Sequence, residues 1–200
     1  MKFVVATNNK KKLVELNRIL LPLGIDAATA NEIGIDLGNV EENGTTFDEN
    51  AYIKAKSAYD LLKGKYCVVA DDSGLCVDAL NGQPGVFSAR YGGEGLSDID
   101  RYNRLLDNMS DVPQNERNAH FACSICAIMT DGTVIRAFGK CDGYIAFEPV
   151  GEGGFGYDPV FMVGDKSFSQ LTADEKDKCS HRGNALREFK VRLEEYLEGK

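Results

Sequence analysis

The sequence predicts an α/β protein built on a mixed, twisted sheet. Strand-like and helix-like apolar patterns alternate along the chain, a tight hairpin signal sits in its middle, and no repeat, low-complexity tract or Pro/Ser linker divides the 200 residues. Residues 3–6 (Phe-Val-Val-Ala) read as a short buried strand. Leu13, Leu16, Ile19 and Leu20 then recur at helical spacing until Pro22 and Gly24 stop the pattern. A second helix is expected over residues 47–62, with Phe47, Ala51, Ala55, Ala58 and Leu62 on one stripe and Gly64 as its stop signal. Residues 66–70 follow as a buried strand that ends at two aspartates. After a Gly-rich stretch, residues 82–95, a polar amphipathic helix covers 97–109. Residues 120–129 and 133–139 are strand-like runs joined at Asp131-Gly132, a dipeptide suited to the positive φ angles of a tight turn. Short extended pieces broken by glycines fill residues 143–163. A last helix from Ser180 carries Ala185, Leu186, Phe189, Leu193, Tyr196 and Leu197.

Composition narrows the function classes. A 200-residue chain with 43% hydrophobic residues can bury roughly 70% of its unfolded surface, so it needs no staples. Its apolar runs are only a few residues long, far below the ~20 that cross a bilayer, and the N-terminus is too short in apolar residues for a signal peptide. The expectation is a cytoplasmic protein without a membrane partner. Six cysteines (Cys67, Cys76, Cys123, Cys126, Cys141, Cys179) lie mostly in apolar runs, without the paired C-x-x-C spacing of a structural zinc site. Cys123 and Cys126 belong to strand-like sequence, where positions three apart point to opposite faces, so they read as packed small hydrophobes. A net charge of −8 argues against a nucleic-acid partner and requires any anion site to be local.

Four constellations carry chemistry. Thr7-Asn8-Asn9-Lys10-Lys11-Lys12 lies where the first strand gives way to the first helix, where free backbone N–H groups and the helix dipole favour an anion. The alternative is an N-cap followed by a solvated first turn, although cations there oppose the dipole unless an anion binds. The second is acidic: Glu41 and Glu42 before the second helix, and Asp71-Asp72-Ser73-Gly74 expected at the carboxyl end of a buried strand, where ligands of α/β sheets sit. Carboxylates brought together from separate segments repel unless a cation joins them. Hard oxygen ligands beside a phosphate indicate Mg²⁺, while an Asp-Asp-Ser-Gly turn alone is also ordinary loop chemistry.

The third runs from Gly151 to Pro159 and includes Gly153, Gly154, Phe155, Gly156, Tyr157 and Asp158. It satisfies G-x-G-x-x-G formally, but the sequence after Pro159 is extended rather than helical, which rejects a dinucleotide fingerprint. What remains is a glycine-flanked aromatic, Phe155, able to lie against a base, with a Gly-rich hairpin and a core phenylalanine as the alternative. The fourth is Ser180-His181-Arg182-Gly183, preceded by Lys176 and Lys178. Ser180 is a good N-cap, yet cationic residues in a first turn run against the dipole. The other histidine, His120, reads as a surface residue at a strand edge.

In order along the chain stand T-x-N-x-x-K at Thr7, Asn9 and Lys12; T-F-x-E-N-A from Thr46 to Ala51; D-D-S-G-L from Asp71 to Leu75; P-G-x-x-S-A-R-Y from Pro84 to Tyr91; G-G-F-G-Y-D-P from Gly153 to Pro159; and S-H-R-G from Ser180 to Gly183. Six such motifs in this order resemble the ITPase or Ham1-like family of purine nucleoside triphosphate pyrophosphatases, from Lys2 to the last helix. Lys11 stands where many bacterial members carry glycine. The resemblance implies an elongated mixed sheet flanked by helices, one domain of 200 residues whose two lobes share that sheet around a nucleotide cleft, and a homodimer. It implies hydrolysis of ITP, dITP and XTP to the monophosphate and pyrophosphate, with Mg²⁺ on Glu42 and Asp72. Asp72 is then also the expected general base, with Asp71 as the second candidate. Substrate would be held by Thr7, Asn8, Asn9, Lys10, Lys11, Lys12, Ser73, Phe155, Gly156, Tyr157, Asp158, Lys176, His181 and Arg182. Other readings are a Maf-like pyrimidine nucleotide pyrophosphatase, a nucleotide-binding regulator without turnover, and a nucleic-acid module. The carboxylates favour an enzyme over a regulator, and the acidic balance disfavours the nucleic-acid module.

Overall fold

The computed structural model describes residues 2–7, 9–21, 24–36, 38 and 40–199. Seven strands form a sheet in the order β2-β1-β3-β4-β5-β6-β7. They are β1 (Lys2–Val5), β2 (Asp26–Thr29), β3 (Cys67–Val77), β4 (Asn118–Ile128), β5 (Val134–Ile145), β6 (Phe161–Val163) and β7 (Lys166–Ser167). β1 pairs in parallel with both neighbours, Val4 lying opposite Ala28 and Val68, whereas β6 runs antiparallel to β5 and β7. The predicted mixed α/β sheet is therefore present. A parallel pair needs a crossover, and α1 (Lys10–Leu20) supplies the one between β1 and β2. β2 itself is not legible in the sequence, because Asp-Ala-Ala-Thr carries no large apolar side chain.

The chain divides into two compact units. One comprises the chain up to Asp72, Cys123–Gly139 and the chain from His181 onward; the other comprises Ser73–Ala122 and Lys140–Ser180. β3, β4 and β5 each have residues in both.

In the first unit, side-chain alternation along the strands loads both faces of the sheet. Phe3, Val5, Cys67 and Val69 pack with Leu16 and Leu20 of α1 and with Leu186 and Phe189 of α5 (His181–Glu198). Val4, Val68 and Ala70 pack on the other face with Ala51, Ala55 and Ala58 of α2 (Phe47–Leu61). The predicted alanine stripe of α2 lets that helix lie close to the strands. Thr46 and Glu49 start it with a capping box, and Gly64, at φ 66°, follows its end. Cys123 and Cys126 fall in the two different clusters, on opposite faces as their spacing predicts.

In the second unit, Phe121, Phe161 and Phe168 form an aromatic core, with ring centroids 4.7 Å apart between Phe121 and Phe161 and 4.9 Å apart between Phe161 and Phe168. α3 (Asp98–Asn108), opened by a Ser97/Asp100 capping box, lays Leu105 against this unit's core. α4 (Ala173–Cys179) is too short and polar for apolar periodicity to reveal it; Thr172 and Glu175 cap it. Arg117 is buried and donates to the carbonyls of Met109, Val112, Ile145 and Ala146 at 2.8–3.1 Å.

Three expectations change. β3 does not stop before the aspartates but continues through Asp71, Asp72, Ser73 and Gly74 to Val77, because both carboxylates find buried cationic partners. Ser180 closes α4 as its C-cap, donating its N–H to the Lys176 carbonyl, in addition to preceding α5. His120 is half-buried within β4, and burial lowers its pKa below the usual imidazole value.

Candidate active site

The continuation of β3 decides the geometry around the paired aspartates. Successive strand residues point to opposite faces. Since Val69 packs against α1 and α5 while Ala70 packs against α2, Asp71 is directed to the first helix pair and Asp72 to α2. Asp71 meets Arg182 of α5, whose guanidinium lies 3.3 Å from its Oδ2 and also pairs with Glu15 of α1. This cluster is closed: the side chains of Asp71 and Arg182 are 1% and 3% exposed. Burial works against the Arg182 charge, but Asp71, Cys123 and Glu15 outweigh it and hold the guanidinium protonated.

Asp72 meets a different set. Its Oδ1 accepts a hydrogen bond from Lys54 Nζ at 2.9 Å, and its Oδ2 accepts one from Asn50 Nδ2 at 3.3 Å; both donors belong to α2. Lys54 Nζ also reaches Glu42 Oε2 at 3.0 Å. The side chains of Asp72, Lys54 and Glu42 are 9%, 13% and 35% exposed, so this group is buried at the strand and opens toward solvent at Glu42. Burial pulls the Lys54 pKa down, yet Asp72, Asp71 and Glu42 together raise it above the ordinary lysine value. Two hard carboxylates thus converge on one point that already accommodates a cation. Among the described residues, no group of three or more His, Cys, Asp or Glu side chains could hold a metal ion. The donor set suits Mg²⁺, which takes one or two carboxylates and completes its shell with water and phosphate oxygens.

The loop that carries Glu42 is fixed by the first turn of α2. Glu49 Oε2 accepts from Thr45 N at 2.7 Å, Thr45 Oγ1 at 2.8 Å and Thr46 N at 3.2 Å, and Asn50 Oδ1 accepts from Gly44 N at 2.8 Å. The Thr45 hydrogen bonds hold Glu49 below the usual carboxylate value.

In the strand-to-helix turn, Thr7 Oγ1 accepts from Asn9 N at 3.2 Å and Asn9 O caps the start of α1 through Leu13 N. Asn8 lies outside the described residues, as do the side chains of Lys10, Lys11 and Lys12, whose backbone forms the first turn of α1. His181 and Arg182 open α5, and both are buried.

The second unit holds the remaining predicted residues. Lys176 Nζ donates to Asp158 Oδ2 at 2.7 Å and sits 4.9 Å from the Phe155 ring centroid, a cation–π contact. Asp158 Oδ2 also accepts from Phe155 N at 2.8 Å. A Cβ on Gly154, which has φ +77°, would fall 2.1 Å from that carboxylate oxygen, so glycine is required there. Gly156 N donates to Asp98 Oδ2 at 2.9 Å. Tyr157 is buried, its hydroxyl donates to Ser88 O at 2.8 Å, and burial raises its pKa. Phe155 and Ser73 are half-buried. A short β-strand, β6, follows Pro159, in keeping with the rejected dinucleotide fingerprint.

Lys54 and Asn50 were not among the site residues read from the sequence. Their signal is positional: they stand four residues apart beside the alanine stripe of α2, where an amphipathic pattern alone cannot distinguish a buried lysine from a solvated one.

The sequence pattern of the Ham1 family matches residues 3–192. The chain belongs to the Ham1 family. It is 45% identical to a dITP/XTP pyrophosphatase of Clostridium perfringens, over 98% of each chain. With that of Escherichia coli it shares 43% identity, over 93% of this chain and 94% of the relative. Among solved structures, the Staphylococcus aureus Ham1 protein superposes with a TM-score of 0.85 at 38% identity, over 98% of this chain and all (100%) of the other. A HAM1 protein from Coxiella burnetii superposes with a TM-score of 0.86 at 37% identity, over 98% of this chain and 99% of the other. No helix among the described residues of this Ham1-family chain is long and apolar enough to cross a membrane.

Proposed function

We propose that the chain is a pyrophosphatase acting on deaminated purine nucleoside triphosphates such as dITP, ITP and XTP, yielding the monophosphate and pyrophosphate. The observation that carries the mechanistic reading is the convergence of Glu42 and Asp72 on the Lys54 ammonium. It places acceptors suited to a divalent cation beside a donor suited to phosphate, in a group that opens toward solvent at Glu42. Water attacks a phosphorus in line, an α–β phosphoanhydride bond breaks, and pyrophosphate leaves. Most of the barrier reduction in such a reaction is positioning and charge cancellation. Glu42 and Asp72 would hold Mg²⁺, which would supply part of that charge cancellation. Asp72 takes the proton of the attacking water. Lys54 and Lys12, with the amides of the Thr7–Asn9 turn, bind triphosphate oxygens.

In the second unit, Lys176 offers a charge, and Phe155 offers a ring against which a base can stack. Such stacking is worth about 1–3 kcal/mol. Hypoxanthine and xanthine carry a carbonyl at C6 where adenine has an amino group, and a carbonyl suits the donors His181 and Arg182. Because Arg182 also binds Asp71 and Glu15 in the closed cluster, His181→Phe is the cleaner test of base choice. A homodimer in the cytoplasm completes this reading, and sedimentation measures its first half.

The test is to incubate the protein with ITP, dITP, XTP, ATP, GTP and the pyrimidine triphosphates, with and without Mg²⁺, and to measure pyrophosphate and monophosphate. Pyrophosphate release from deaminated purine nucleotides in excess of ATP is expected, with EDTA abolishing it. Orthophosphate release, or comparable kcat/KM for ATP and ITP, refutes the proposal.

A further inference from the structure

We infer that Asn50 is a positioning residue: its carboxamide couples the loop bearing Glu42 to the Asp72 carboxylate and so sets the spacing of the two carboxylates that receive the metal. The inference rests on the metal reading above and adds to it a residue that touches neither substrate nor metal.

Asn50 is buried, and its side chain is used at both ends. Oδ1 accepts from Gly44 N at 2.8 Å, and Nδ2 donates to Asp72 Oδ2 at 3.3 Å. The amide orientation follows from the partners, since a backbone N–H can only donate and a carboxylate can only accept. Gly44 is matched to this role. A Cβ there would lie 2.6 Å from Asn50 Oδ1 and 2.8 Å from Glu49 Cβ, so only glycine lets the loop lie against the first turn of α2.

Glu42 stands two residues before Gly44, and Lys54 stands one helical turn after Asn50. The Lys54 bonds to Glu42 and Asp72 therefore close a ring: loop, carboxamide, strand carboxylate, ammonium, loop carboxylate. Glu49 pins the same loop through Thr45 and Thr46, with bonds to the loop backbone and the Thr45 hydroxyl. Partners that orient metal ligands change metal affinity or activity by about 10–100-fold when removed.

The experiment measures Mn²⁺ binding to the nucleotide-free, full-length protein by electron paramagnetic resonance, for wild type, Asn50→Ala, Gly44→Ala and the double variant, with circular dichroism on each. Mg²⁺ activation of pyrophosphate release is followed alongside. Each single variant is expected to weaken Mn²⁺ binding about 10–100-fold, to raise the Mg²⁺ needed for half-maximal rate in parallel, and to keep its fold. The double variant is expected to be no worse than the weaker single one, because both act through one bond. Gly44→Ala removes no side-chain partner, so it carries the test if Asn50→Ala does not fold. Variants that bind Mn²⁺ within twofold of wild type overturn the role of Asn50 while leaving the metal reading intact, as do fully additive losses. A wild-type protein that binds no Mn²⁺ removes the metal reading and this inference together.

Discussion

Asp71 and Asp72 are adjacent residues of one strand, yet they belong to different kinds of environment. Asp71 faces α1 and α5 and is sealed with Arg182 and Glu15; Asp72 faces α2 and shares Lys54 with Glu42, which is half in solvent. The partners differ in kind as well. Arg182 is a planar, permanently charged fork that satisfies two carboxylates at once, whereas Lys54 is a point charge on a flexible stem that can follow an incoming anion. A carboxylate closed off with arginine holds helices to a sheet. One with a lysine and an open wall retains capacity for ligands. Alternation along β3 gives each aspartate one of these environments.

Removing the cation from each face sharpens this contrast. Arg182→Met removes the buried guanidinium from Asp71 and Glu15 and is expected to destabilise the protein by about 3–5 kcal/mol in urea denaturation; a loss below about 1 kcal/mol would show that the closed cluster is not structural. Lys54→Met is expected to cost less stability than Arg182→Met, because its carboxylate partners open to solvent at Glu42, while KM for dITP rises about 10–100-fold, the worth of a charge-assisted contact of about 1.5–3 kcal/mol. An unchanged KM would return Lys54 to a structural role.

The pH dependence separates the groups further. Lys54 has a folded-state pKa raised above its ordinary value, so its contribution to stability is complete below about 10.4 and is lost only as pH rises through the folded value. The stability difference between wild type and Lys54→Met should therefore be flat from pH 6 to 9, and a slope there contradicts the ion-pair assignment. The smallest effect belongs to Glu175, lowered to about 2, chiefly by the Thr172 backbone hydrogen bond. Its contribution is present above about 4.3 and fades as pH falls toward 2. Glu175→Gln should shift the acid-unfolding midpoint only slightly, because the group is exposed and solvent screens it.

The helices over residues 47–62 and 97–109 and the turn at Asp131-Gly132 are legible in the sequence because apolar period, caps and turn residues agree there. The end of β3 is not legible. Aspartate, serine and glycine locally favour a turn, and only the distant Lys54 and Arg182 make a strand through them affordable. For the same reason the residues alone do not separate Asp71 from Asp72 until their faces are known; only the family resemblance ranks Asp72 first and Asp71 second. Motif order pointed to Glu42, Asp72 and Lys176. It could not reveal that Asp158 is engaged by Lys176, or that Tyr157 is anchored to Ser88, since these depend on contacts between segments far apart in the chain.

The most direct test is the steady-state rate of pyrophosphate release from dITP at saturating Mg²⁺ by Asp72→Asn, with thermal unfolding followed on the same sample. Asparagine keeps the volume and an acceptor oxygen but removes the charge that, in the proposed mechanism, binds the cation and receives the proton. The expected result is a folded protein slowed by about 10²–10⁴-fold; a folded Asp72→Asn protein within threefold of the wild-type rate would contradict the assignment of the reaction to the α2 face of β3.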